Sequence, residues 1–377
     1  MRIGIDARMF GPKQGGLGRY VEQLILNLEK LNPPAGGDAD FVIFLRQENW
    51  SDYTPTNPRF TKVLADIPWY GLREQFELPK IISQNNLDLM HFPHWNVPLF
   101  YNRPFVVTIH DLLLLHFPTR RASTLGPILY FVKNFFFKII LRHAAKKAIN
   151  IITVSNFSKN DLIKTLHVPK DKITIAYPAA NPDLTNPPLP RPSGESKIVR
   201  PYALYVGVAY PHKNLDRLLA AWQLFCDKTG NRYQLVLVGK KNYFYDRLLE
   251  KYGELFAMGL AVFTDFVDDE ILSDLYQSAS IFVLPSLYEG FGIPPLEAMS
   301  HGVPVIASLT TCMPEVLEGA ALYFNPTQVN ELVEALISGF TDEKLRAELS
   351  MLGKKIAAKY SWLTCAKKTS EVYQNSV

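Results

Sequence analysis

Ile281-Phe-Val-Leu-Pro-Ser-Leu-Tyr-Glu289-Gly-Phe-Gly-Ile-Pro-Pro-Leu-Glu297 decides how this chain is read. Ile281 to Leu284 is a short all-apolar run of the kind a parallel strand needs when both of its faces are buried. Pro294-Pro295 suits the first turn of a helix, where a missing N–H is harmless. The stretch is therefore strand, loop and helix, with Glu289 in the loop and Glu297 on the helix. Gly290 and Gly292 let backbone approach a ligand closely, and the N–H groups of the helix start point at the same place, a ready site for phosphate oxygens. One carboxylate is placed for sugar hydroxyls and the other for a ribose diol, as the acidic residue of dinucleotide folds is. A helix cap with a solvated Glu would explain either carboxylate alone but not the constellation.

Outward from this stretch, short apolar strands alternate with amphipathic helices through the whole chain, the pattern of parallel α/β sheets. Strands are expected at Arg2 to Ala7, Phe41 to Leu45, Leu87 to Phe92, Phe105 to Ile109, Ile151 to Val154 and Ile173 to Tyr177. A second series falls at Tyr202 to Val206, Gln234 to Val238, Ala261 to Thr264, Ile281 to Leu284, Val303 to Ala307 and Ala321 to Phe324. Leu17, Val21, Leu24, Leu28 and Leu31 recur at helical spacing and form a core stripe. Between the two series, Pro178, Pro182, Pro187, Pro188, Pro190, Pro192 and Pro201 allow neither helix nor central strand. The expected fold is α/β: two doubly wound, Rossmann-like domains facing across a cleft, residues 1–180 and 201–360, joined by a linker at 181–200.

The chain has 377 residues, 47% of them hydrophobic, enough for two sizeable cores. Its net charge of +4 conceals an asymmetry: residues 1–180 carry 22 Lys and Arg against 14 Asp and Glu, the remainder 18 against 22. The acidic half is a poor nucleic-acid surface. Three scattered cysteines in no C-x-x-C spacing suit a reducing compartment. Arg2 leads directly into a strand, and no apolar run is long enough to span a bilayer, so the expectation is a cytoplasmic protein.

Other constellations sit at strand ends. Gly11-Pro-Lys-Gln-Gly-Gly-Leu-Gly18 joins the first strand to the first helix; it is not G-x-G-x-x-G, which disfavours dinucleotide binding and an oxidoreductase. Gly207-Val-Ala-Tyr-Pro-His-Lys213-Asn precedes a helix, and a Lys there suits a diphosphate. His110-Asp111 ends one strand and His91 and His94 end another; His110 has a sugar hydroxyl as its candidate ligand and the other two the acceptor side. The three lack a carboxylate or Cys at ligand spacing, so no metal site is expected. Asp38-Ala-Asp40 precedes a strand and reads as a solvated turn. From Leu112 to Asn160 there is no Asp or Glu, while Arg120, Arg121, Lys133, Lys138, Arg142, Lys146, Lys147 and Lys159 are basic. That stretch contains an aromatic, apolar helix from Pro127 to Leu141, which makes an anionic membrane surface a candidate partner.

With these motifs in place the chain resembles glycosyltransferase family 4, retaining enzymes with the two-domain GT-B fold. Gly15-Gly-Leu-Gly-Arg-Tyr20, His110-Asp111, Val154-Ser-Asn-Phe-Ser158, Gly207 to Asn214 and the E-x7-E carboxylates carry the resemblance. Ile3-Gly-Ile-Asp-Ala-Arg8 and His91-Phe-Pro-His-Trp-Asn96 are most similar to mannosyltransferase-like members of polysaccharide O-antigen pathways.

The resemblance implies that Gly16 approaches the donor phosphate, His110 contacts the transferred sugar and Lys213 neutralises the diphosphate. Glu289 would hold sugar hydroxyls, the Gly290, Phe291, Gly292 and Ile293 amides phosphate, and Glu297 the ribose. Ser155, with His91 and His94, would border the acceptor. Many members carry an Arg where this chain has Val208, which puts more weight on Lys213. The implied activity transfers a hexose, mannose favoured, from GDP-mannose or a UDP-hexose to a glycan or lipid-linked acceptor. It needs no metal and no other cofactor. A docking site on the inner face of the cytoplasmic membrane would serve a lipid-linked acceptor. A helix at 361–377 is expected to cross back to the first domain. The rival reading is a non-catalytic nucleotide-sugar-binding partner subunit.

Overall fold

A computed structural model describes residues 1–118, 127–181 and 198–377. It divides into two compact units: Met1–Pro178 with Ser361–Val377, and Ala179–Tyr360. Most of the proline-rich linker, 182–197, lies outside the described residues, as do Arg120 and Arg121.

The first unit holds a seven-stranded parallel sheet. Its strands are β1 (Arg2–Asp6), β2 (Asp40–Leu45), β3 (Phe60–Leu64), β4 (Leu89–Phe92), β5 (Phe105–Thr108), β6 (Ile151–Thr153) and β7 (Ile173–Ile175). They are ordered 3-2-1-4-5-6-7. Helices α1 (Gly15–Leu31), α2 (Leu72–Ser83), α3 (Leu113–His116), α4 (Pro127–Lys147) and α5 (Asn156–Leu166) intervene. β3 is an addition to the strands expected from sequence. It is a sheet edge with one partner, and its Thr61, Lys62 and Leu64 are at least partly exposed, so no all-apolar run announces it.

The second unit repeats the plan with six parallel strands. These are β8 (Tyr202–Val206), β9 (Gln234–Val238), β10 (Ala261–Asp265), β11 (Ile281–Leu284), β12 (Val305–Ser308) and β13 (Ala321–Phe324), ordered 10-9-8-11-12-13. Its helices are α6 (Leu215–Thr229), α7 (Tyr243–Lys251), α8 (Gly253–Ala257), α9 (Asp269–Ser278), α10 (Ile293–Ser300), α11 (Met313–Leu317), α12 (Val329–Thr341) and α13 (Glu343–Ala357). Trp222 and Phe225 of α6 pack on Phe340 of α12, with all three buried. In each sheet the chain leaves the central strand in opposite directions, at β1/β4 and at β8/β11. Ligands of open parallel sheets bind at such switch points, beyond the carboxyl ends of the strands.

The last helix, α14 (Trp362–Gln374), belongs to the first unit although it follows the second in sequence. Ser361 caps it by accepting from the Thr364 amide. Trp362 meets Tyr20 of α1 edge-on, and Tyr373 bonds His91 Nδ1 at 2.6 Å. All three cysteines are buried and free. Among the described residues no helix is long and apolar enough to cross a membrane.

Candidate active site

Two loops converge at the β8/β11 switch point. After β8 the chain turns through Gly207 and a short 3-10 turn, Pro211–Lys213, into α6. After β11 it runs through Pro285 to Gly292 into α10. The loops are stitched together: the Leu287 amide donates to the His212 carbonyl at 2.7 Å. Asn214, left-handed at φ 62°, donates from Nδ2 to the Pro285 and Pro326 carbonyls at 3.0 and 2.9 Å. Asn tolerates that conformation better than most residues.

This frame brings Lys213 and Glu289 together, Nζ to Oε1 at 2.7 Å. Ser286 Oγ donates to the same oxygen at 2.6 Å, and the Glu289 amide donates to Thr311 Oγ1 at 3.2 Å. Burial pushes the Glu289 carboxyl up, but the Lys213 ammonium and the two side-chain bonds outweigh it and hold the group below its ordinary value. His212 beside them is held neutral, its pKa lowered to about 4 by burial and by Lys213. The site thus carries an ionised carboxylate and one ammonium, each fixed in place.

Gly292 is left-handed at φ 84°, and a Cβ there would lie 2.6 Å from Met313 Cε, so only glycine fits. It stands at the N-cap of α10 with no side-chain cap. The Phe291 ring is buried and meets Tyr360 edge-on, so this residue turns its side chain to the core. Glu297 lies within α10, 4% exposed, and accepts from Tyr276 Oη at 2.8 Å. Ser286, Asn214 and Thr311 were not singled out in the sequence. Asn214 directly follows Lys213 and Ser286 stands three residues before Glu289, and that adjacency was the signal.

In the first unit, His110 follows β5 and its Nε2 lies 2.9 Å from the Pro93 carbonyl. A carbonyl only accepts, so Nε2 carries the hydrogen and Nδ1 is the acceptor. Burial lowers the His110 pKa to about 4, so the ring is neutral at pH 7. Gly15 and Gly16 are exposed, and a Cβ at either would meet nothing within 4 Å. Gly18 is the structurally obligatory glycine of that loop, since its Cβ would fall 2.0 Å from the Gly11 carbonyl oxygen.

Two expected acceptor-side residues serve the core instead. His91 is fully buried, with Nε2 2.8 Å from Thr108 Oγ1 and Nδ1 taken by Tyr373, so it pins α14 to β4 and β5. Ser155 is fully buried and caps α5, accepting from the Ser158 amide at 3.0 Å. His94, by contrast, lines a recess beside β1 and β4. Asp40 pairs with Arg59 at 3.0 Å at the start of β2, as a turn residue does. Among the described residues no cluster of three or more His, Cys, Asp or Glu side chains is arranged to hold a metal.

Two family profiles cover the chain: Glycosyltransferase Family 4 matches residues 14–184 and Glycosyl transferases group 1 matches residues 191–356. O-antigen chain mannosyltransferase B of Escherichia coli is 32% identical over 294 residues, 76% of this chain and 74% of that protein. The chain belongs to glycosyltransferase family 4. O-antigen chain mannosyltransferase RfbU of Salmonella typhimurium is 29% identical over 72% of this chain and 70% of its own length. Sucrose-phosphate synthase of Thermosynechococcus elongatus superposes with a TM-score of 0.75 at 20% identity, over 100% of this chain and 98% of that one. The fold is therefore GT-B, and the protein is a glycosyltransferase.

Proposed function

We propose that this family 4 enzyme is a retaining hexosyltransferase that moves a hexose, mannose favoured, from a nucleoside diphosphate sugar, GDP-mannose or a UDP-hexose, to a glycan or lipid-linked acceptor. The observation that carries the reading is the Lys213–Glu289 pair at the β8/β11 switch point, beside a helix start with no side-chain cap. An incoming diphosphate takes Lys213 as its counter-ion, and the Glu289 carboxylate accepts from sugar hydroxyls. Loop amides from Gly290 to Ile293 bind phosphate oxygens, and Glu297 accepts from the ribose diol. His110 accepts a substrate hydroxyl at Nδ1. The mannose preference comes from the two O-antigen mannosyltransferases to which the chain is similar.

In the proposed step the bond from the anomeric carbon to the leaving phosphate oxygen breaks. The bond to the acceptor oxygen forms on the same face, and the acceptor's proton passes to the phosphate. Lys213 and the loop amides stabilise the charge that develops there, so the step needs no metal. The test is turnover of a donor panel, with NMR assignment of the product anomer and with EDTA in one arm. Retention in EDTA is expected. An inverted product, or activity abolished by EDTA and restored by magnesium, overturns the mechanism.

The membrane surface is part of the same proposal. α4 buries Phe137, Leu141, Ala144 and Ala145 but leaves Phe131, Phe135 and Phe136 63%, 62% and 51% exposed, beside exposed Lys133 and Arg142. Exposed aromatics flanked by cations are the composition of an interfacial helix. Each basic residue near an anionic leaflet contributes about 1 kcal/mol.

A further inference from the structure

The Glu289 loop has a third neighbour. After β12 the chain turns through Leu309 to Cys312 into α11, and this turn holds Glu289 by both of its backbone groups. The Glu289 amide donates to Thr311 Oγ1 at 3.2 Å, and the Cys312 thiol donates to the Glu289 carbonyl at 3.3 Å. Burial pushes the Cys312 thiol well above its ordinary value, so it keeps its hydrogen and stays a donor. One residue further on, Met313 Cε occupies the space that a Cβ at Gly292 would need. The turn therefore braces the loop at Glu289 and again at the N-cap of α10.

Each peptide group is planar, so bonds to the Glu289 amide and carbonyl fix the two planes that flank its Cα. The Cβ from which the carboxylate hangs is fixed with them. The far end of the side chain is tied separately, by Lys213 at 2.7 Å and Ser286 at 2.6 Å. A diphosphate that takes Lys213 as its counter-ion removes one of those two ties. The grip on the backbone is then what keeps the carboxylate where it was, and small displacements of a positioned group are felt strongly in rate.

The turn is strained. The Met313 amide donates to the Thr310 carbonyl at 3.2 Å, Thr311 has φ 53°, and Cys312 lies at φ −84°, ψ −8°. That is the pattern of a type II′ turn, whose first central position is ordinarily Gly, Asn or Asp. A β-branched residue there is an outlier. Strain of this kind persists only where the surroundings fix it, and it clusters at functional sites. Glycine would relieve it but would lose the hydroxyl. What the strained side chain brings is an oxygen on the Glu289 amide.

We infer that Thr311 is a positioning residue for the transfer: its hydroxyl, with the Cys312 thiol, holds the Glu289 backbone so that the carboxylate meets the sugar hydroxyls once Lys213 is engaged by the diphosphate. The inference rests on the role proposed for Glu289 and adds a residue that acts through it.

The test compares full-length wild type, Thr311→Ser, Thr311→Ala and Thr311→Gly for kcat and KM on the donor that wild type turns over. GDP and UDP affinity is measured in parallel by calorimetry, and melting temperature reports stability. Stability should follow the backbone: Thr311→Gly melts above Thr311→Ala, since both lack the hydroxyl and only the alanine variant keeps the strain. Turnover should follow the hydroxyl instead. Thr311→Ala and Thr311→Gly should each lose about three- to tenfold in kcat, the effect of one neutral hydrogen bond, with nucleotide affinity unmoved, and Thr311→Ser should restore most of it. The loss should vanish in a Glu289→Gln background, because two changes that act through one group do not add. Wild-type kcat in Thr311→Gly, Thr311→Ser as impaired as Thr311→Ala, or kcat that ranks with melting temperature overturns the positioning role. So does a full-sized Thr311→Ala loss on top of an impaired Glu289→Gln. Wild-type turnover by Glu289→Gln alone strikes the role of Glu289 itself, and this inference with it.

Discussion

Removing the Lys213 ammonium tests the β8/β11 site through stability as well as turnover. At 2.7 Å and an effective dielectric near 20, its attraction to Glu289 is about 6 kcal/mol before desolvation is subtracted. The two side chains are 20% and 12% exposed, so the pair is largely but not wholly buried. Breaking it should cost about 3 kcal/mol, the low end for a buried pair, because an uncompensated carboxylate stays behind. For a unit the size of Ala179–Tyr360 that is a drop of roughly 6 to 12 °C in melting temperature.

The pH dependence has a definite sign. In the wild type the Glu289 pKa is lowered, so its contribution is present above the ordinary carboxylate range and lost as pH falls through the lowered value. Without Lys213, burial dominates and the folded carboxyl lies above its unfolded value; the variant is then penalised at high pH and recovers on acidification. Calorimetric melts of wild type and Lys213→Ala at pH 5, 6, 7 and 8 should show the gap widest at pH 8 and narrowing toward pH 5. Adding Glu289→Gln to Lys213→Ala should close most of it at pH 8. A gap independent of pH, or one that widens in acid, refutes the reasoning. Turnover of Lys213→Ala should fall on the order of 100-fold.

Glu297→Ala should weaken nucleoside diphosphate binding by about 1.5 to 3 kcal/mol in calorimetry, while Glu289→Gln should lower turnover more than donor affinity. His91, fully buried, has its pKa lowered to about 3 and His110 to about 4, both chiefly by burial. Melting temperature should therefore fall as pH drops from about 6.5 toward 4, where the unfolded chain binds protons that these rings do not, and Tyr373→Phe should destabilise the first unit by about 1 kcal/mol. Changing Lys133, Phe135, Phe136 and Arg142 to Ser should abolish salt-sensitive co-sedimentation with anionic vesicles; pelleting equal to wild type would return α4 to the status of a solvated face.

The fold was legible because parallel sheets demand short apolar runs between amphipathic helices, and the runs that were read lie at or within two residues of strands of the structure. β3 escaped because an edge strand need bury only one face. His91 and Ser155 share one ambiguity. A polar residue at the carboxyl end of a strand looks the same whether it faces a ligand or plugs the interior. The partner that decides the matter for His91, Tyr373, lies 282 residues away.

The two switch points differ in how far their residues are spread along the chain. At β8/β11 the charged groups lie on two short loops, Gly207 to Asn214 and Pro285 to Gly292, and each loop has its own local signature. A diphosphate imposes glycine, a helix start and a fixed cation within a few residues, so local reading finds it. At β1/β4 the buried polar groups are gathered from Asp6, Arg8, Glu74 and Asn96. Asp6 and Arg8 stand in one of the stretches that carry the resemblance and Asn96 in another, but Glu74, on α2, stands in neither. Arg8 donates to one Glu74 oxygen and Asn96 Nδ2 to both, so the helix residue ties the two stretches together. Sequence spacing carries no trace of that link, because the residues that make it stand on two separate strand ends and a helix.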